Sequence, residues 1–143
     1  MAARLGRLER CGVAVAKQRV FTSFDFDHDQ DLRTLLVGQA EHPDTPFTMA
    51  DWSVKDAISG DWKAKVRSRI RQTDHVVVIC GEHTHTSSGV AAELAIAREE
   101  KKPYFLLHGR NGKACTKPTT ALASDKIYKW TWDNLKKLLG GAR

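Results

Sequence analysis

The chain has 143 residues, 41% hydrophobic and 28% charged, which fits one globular domain able to bury about two-thirds of its unfolded surface without staples. Its formal charge of +6 suggests a nucleic-acid partner until it is located: Arg4, Arg7, Arg10, Lys17 and Arg19 against Glu9 place +4 within the first nineteen residues and leave a nearly neutral body. Cys11, Cys80 and Cys115 show no paired spacing, so free thiols in a reducing compartment are expected instead of a disulfide framework. No apolar run reaches the length of a membrane span, and the apolar stretch Val13 to Ala16 is too short for a signal peptide. A cytoplasmic protein is expected, with residues 1–18 as a basic extension, residues 19–143 as the domain, and neither membrane nor nucleic acid among its partners.

Arg19 to Phe24 has the β-branched and aromatic content of a strand, which the acidic run up to Asp31 ends. Asp27, Asp29 and Asp31 suit the positive end of a helix dipole, and Leu32, Leu35, Leu36 and Gln39 follow at helical spacing. Pro43 and Pro46 break that helix; Phe47 to Trp52 alternates as a second strand, followed by a loop to Gly60. Asp61 is a good N-cap for a helix with Trp62, Val66 and Ile70 on one stripe and a solvated basic face of Lys63, Lys65, Arg67, Arg69 and Arg71.

Val76 to Ile79, four apolar residues bounded by His75 and Gly81, fit a strand buried on both faces. The polar loop Gly81 to Ser88 leads to a helix over Gly89 to Lys102, with Val90, Leu94 and Ala97 on its core stripe. Pro103 stops it and opens the strand Tyr104 to His108. A long connection, Arg110 to Lys126, precedes a last strand, Ile127 to Trp130, and a helix carrying Trp132, Leu135, Leu138 and Leu139 that closes on Gly140 and Gly141. This alternation predicts an α/β three-layer sandwich around a five-stranded parallel sheet of flavodoxin-like order 2-1-3-4-5. Its switch point lies between strands one and three, so Phe24 and Asp25 face the loop Gly81 to Ser88 across the crevice where such sheets bind ligands.

Several chemistries fail on residue type. Asp25, Asp27 and Asp29 imitate a calcium loop, but Gln30 and Leu36 stand where the glycine and bidentate glutamate belong. A phospho-receiver needs an aspartate where Cys80, Gly81 and Glu82 stand. Cys80, His83 and His85 lack a fourth zinc ligand, and no metal is expected. No GxSxG elbow surrounds Ser87 and Ser88, whose hydroxyls suit a helix cap. Glu93 is the residue that stands out. It lies in the second turn of the helix leaving the switch-point loop, beside the small Ala91, Ala92 and Ala95, at the border of the apolar stripe. It reads either as a ligand-facing carboxylate or as a partly exposed helix-start glutamate favoured by the dipole.

Three stretches, RVFTSFDFD, ADWSVKD and DHVVVICGEHTHTSSGVAAELAIAREEKKPYFLL, together resemble the TIR-like domains of bacteria and archaea, the group that includes the TIR-like proteins of Thoeris anti-phage systems. The resemblance covers Arg19 to Gly140. It implies a flavodoxin-like TIR fold, a role in stress or anti-phage signalling, and cleavage of NAD at the nicotinamide–ribosyl bond, to linear or cyclised ADP-ribose. NAD would then be a substrate, and no cofactor is expected. The resemblance makes Glu93 the catalytic glutamate, places nucleotide contacts on Ser23, Phe24 and Asp25, and assigns substrate closure and TIR–TIR self-association to Trp52 through Trp62. Gly81, His83 and Thr84 complete the expected substrate-binding set. The chain departs from the family's Trp-x-x-x-Glu signature, with Gly89 in the tryptophan position. A non-catalytic nucleotide-binding or interaction module, and a nucleoside deoxyribosyltransferase-like enzyme, are the alternatives.

Overall fold

The computed structural model describes residues 18–45, 47–49 and 62–141. Strands β1 (Gln18–Ser23), β2 (Phe47–Met49), β3 (His75–Cys80), β4 (Tyr104–His108) and β5 (Ile127–Lys129) alternate with helices α1 (Gln30–Ala40), α2 (Trp62–Arg71), α3 (Ser88–Glu99) and α4 (Trp132–Leu139). All strand pairings are parallel and the order is β2-β1-β3-β4-β5, as the alternation predicts. The expected extension lies almost wholly outside the described residues, as does the Asp61 cap.

Strand parity divides the core into two layers. Val77 and Ile79 of β3 pack with Leu32 and Leu36 of α1 and Leu135, Leu138 and Leu139 of α4, whereas Val76, Val78 and Cys80 pack with Val66 and Ile70 of α2 and Val90, Leu94 and Ala97 of α3. Each large apolar side chain removed from water in these layers contributes about 1.5–3 kcal/mol before entropy is counted. Every residue of β3 is buried, which explains why this strand lacks the alternation of a half-exposed one.

Two helices end differently from the sequence-based expectation. α3 stops at Glu99 instead of Lys102, because Lys101 turns into the left-handed region at φ 57°. The N–H of Lys102 then reaches Ala97 O at 3.0 Å and that of Lys101 reaches Arg98 O at 3.1 Å, the paired bonds of a Schellman stop. α1 begins at Gln30, after a turn in which the N–H of Asp29 bonds Asp25 O at 2.8 Å, so Asp27 and Asp29 precede the helix. Ser87 caps α3 by accepting from the Val90 N–H at 3.2 Å, as its position predicts.

The basic face of α2 is also less free than expected. Arg67 bonds Glu99 and reaches Glu100 at 2.7 Å, and Arg71 Nε reaches Glu100 at 2.6 Å. These guanidiniums hold the Glu100 carboxyl at about 2 and tie α2 to α3.

Candidate active site

Ser23 ends β1 with its side chain on the α2/α3 face, the parity it shares with Phe21. Its hydroxyl donates to Glu93 Oε1 at 2.6 Å. Ser23 is fully buried and Glu93 is 6% exposed, so Glu93 is not the partly exposed helix-start residue of the alternative reading. Among the described residues no ion pair reaches the carboxyl. Burial pushes its pKa up to about 7, the Ser23 hydroxyl opposing this in part. A carboxyl kept unpaired in the interior is costly, and shifts of this kind cluster at functional sites.

Two loops meet above Ser23 at the carboxyl ends of the strands. The first, 24–29, runs from β1 to α1; the second, 81–87, runs from β3 to α3. Asp25, 4% exposed, accepts from the Asp27 N–H at 3.1 Å through Oδ1 and lies 2.6 Å from His28 Nδ1 through Oδ2. The His28 ring, with 47% of its side chain exposed, stacks on His83 of the second loop with centroids 4.2 Å apart and planes inclined by 26°. The two imidazoles thereby bridge the crevice between β1 and β3.

Beneath them the loops are locked. The Gly81 N–H donates to the buried Thr84 Oγ1 at 2.8 Å. A Cβ on Gly81 would stand 2.4 Å from Asp29 Oδ2, so glycine is required by the neighbouring carboxylate and not by a turn. Asp29, 1% exposed, accepts from Arg110 Nη2 at 3.0 Å through Oδ1, while Oδ2 has no hydrogen-bond partner among the described residues. Desolvation raises its pKa against the pull of Arg110. Arg110 also bonds Asp31 at 2.8 Å and the His28 carbonyl at 3.0 Å, pinning the β4 loop to the start of α1.

Of the expected site residues, Ser23 and Glu93 are joined directly, and Asp25 and His83 are joined through His28. Phe24 is a core side chain on the α1/α4 layer, while Gly81 and Thr84 hold the loop together. Trp52 lies outside the described residues. His28 and Arg110 are additions that only the fold brings into the site. Cys80 is fully buried, its thiol raised to about 12 by desolvation, so it is an inert core group. Among the described residues no three His, Cys, Asp or Glu side chains converge on a metal-sized site.

The fold and crevice are those of a doubly wound TIR-like domain. A model of the family described as Thoeris protein ThsB, TIR-like domain, matches residues 21–113, and the chain belongs to that family. Among solved structures, a prokaryotic SEFIR domain is similar with a TM-score of 0.52 and 17% identity, over 87% of this chain and 88% of that one. The glutaminase domain of a Trypanosoma brucei CTPS, with acivicin bound, gives a TM-score of 0.44 and 16% identity over 64% of this chain; the chain spans 36% of that structure's length. The likeness to the SEFIR domain concerns fold alone. No curated protein matches.

Proposed function

We propose that this TIR-like domain of the Thoeris ThsB type cleaves NAD at the nicotinamide–ribosyl bond, with Glu93 as the catalytic carboxylate, in anti-phage or stress signalling. The observation that carries the reading is the unpaired carboxyl of Glu93, buried and held by Ser23 beneath the switch-point crevice. A positive group entering that crevice would favour the ionised form. NAD brings one, because its nicotinamide ring is cationic, and the charge moves to the ribose as the bond breaks. Fixed negative charge in a dry site stabilises such a transition state. Nicotinamide departs as a neutral base, so the general acid that ordinary glycosidases need has no counterpart here.

The exposed His83 stands at the crevice rim, where it would meet ribose hydroxyls or phosphate, and the buried Asp25 lies behind it, bonded to His28. Self-association through Trp52 to Trp62 belongs to the same reading, since apolar side chains such as Trp52, Val54 and Ile58 suit a contact surface. The non-catalytic alternative draws support from Gly89 in the signature tryptophan's place. Incubating the protein with NAD and, separately, with deoxynucleosides tests the reading. Nicotinamide release is expected and deoxyribosyl transfer is not; release from neither substrate at high protein concentration would favour the binding module.

A further inference from the structure

The cleavage reading leaves one proton without an acceptor. When water captures the ribosyl cation, a C–O bond forms at the carbon nicotinamide has left with its electron pair, and the water must lose a proton. Glu93 is badly suited to take it, because its contribution depends on remaining charged and its carboxyl is buried on Ser23. Enzymes with two such demands divide them between groups in different environments.

We infer that His28, oriented by Asp25, is the general base that accepts this proton at the mouth of the crevice; the inference rests on the NAD-cleavage reading. A carboxylate only accepts hydrogen bonds, so the 2.6 Å contact with Asp25 Oδ2 makes Nδ1 the donor and leaves the lone pair of the neutral ring on Nε2. Nε2 has no hydrogen-bond partner among the described residues. Two residues hold the ring in place: His83 stacks on it from the β3 loop, and Asp25 fixes its Nδ1 edge from the loop after β1, while Arg110 of the β4 loop ties down the His28 backbone by bonding its main-chain carbonyl. Glu93 and His28 are thus both anchored to one short stretch, by Ser23 and Asp25 respectively. The ring's half-exposed position lets the proton pass on to solvent. In the balanced reaction, NAD and water give ADP-ribose, nicotinamide and one proton.

His28→Asn separates this role from that of a turn staple, since the asparagine amide can still donate to Asp25 in place of Nδ1 but offers no basic Nε2. The readout is the ratio of labelled-nicotinamide exchange into NAD to net ADP-ribose formation. A base acts on capture by water and not on bond cleavage, so the variant should retain exchange, lose about a hundredfold in hydrolysis, and raise the ratio accordingly. A merely structural defect lowers both rates together and leaves the ratio unchanged, which would overturn the inference, as would unaltered hydrolysis. Should His28→Asn fail to fold, by its melting curve, His28→Gln, whose amide stands where Nε2 stood but is not basic, is read on the same ratio of exchange to hydrolysis. If the wild-type protein shows neither exchange nor hydrolysis, the cleavage reading falls and this inference falls with it; a wild-type rate that only Glu93→Gln abolishes removes this inference alone.

Discussion

Glu93 enters the interior with a single hydroxyl as its described partner, and this makes stability depend on pH. Its carboxyl is raised from 4.5 to about 7. Between those values the folded chain keeps a proton that the unfolded chain releases, so stability is greatest below 4.5 and falls as pH rises through about 7. The loss is on the order of 3 kcal/mol. Glu93→Gln retains the shape and the oxygen that Ser23 bonds, while the charge and its desolvation penalty disappear. The variant should therefore melt above the wild type at pH 8.5, and that advantage should shrink by more than half at pH 5. A difference independent of pH would show that the carboxyl is not titrating inside the fold. The position of Glu93 beside the apolar stripe is legible in the sequence, but its burial is not, because burial depends on Ser23 arriving 70 residues away in the chain. The His28, Asp29 and Arg110 contacts are hidden for the same reason: Asp29 and Arg110 are 81 positions apart, and no local pattern pairs them.

At the scale of elements, apolar runs and stop signals revealed the strands and helices because each carries its own local cause. α3 ends before its helical spacing runs out because Lys101 adopts a conformation that side chains disfavour. A left-handed backbone costs a non-glycine residue roughly 1–2 kcal/mol, and glycine is the usual residue at this place in a Schellman stop. Lys101→Gly should accordingly stabilise the protein by about 1 kcal/mol, measured as an upward shift of the urea midpoint without change of slope. A downward shift would mean that Lys101 makes compensating contacts. The basic face of α2 teaches a related lesson. Its spacing predicts a solvated surface, and the face is indeed largely exposed, but Arg67 and Arg71 are also paired with Glu99 and Glu100 at the end of the neighbouring helix. Sequence displays the cations of one helix but not the anions that a crossover sets beside them.

At the scale of the whole molecule, the order β2-β1-β3-β4-β5 reverses direction at β1, and that reversal sets the crevice between β1 and β3. Assembly is a separate question, and the contact proposed for it is Trp52 through Trp62. If that stretch is a contact surface, Trp52→Ala should lower both the mass in solution and the NAD-cleaving rate of a folded protein. An unchanged mass and rate would remove the contact. The proposed function depends on whether the carboxylate beneath the crevice performs chemistry. The direct measurement is nicotinamide release from NAD by the wild type and by Glu93→Gln at pH 8, with melting temperatures taken on the same samples. Release by the wild type is expected, with a rate lower by at least about a hundredfold in the variant, which should melt no lower than the wild type. Undiminished release by a folded Glu93→Gln protein would contradict it.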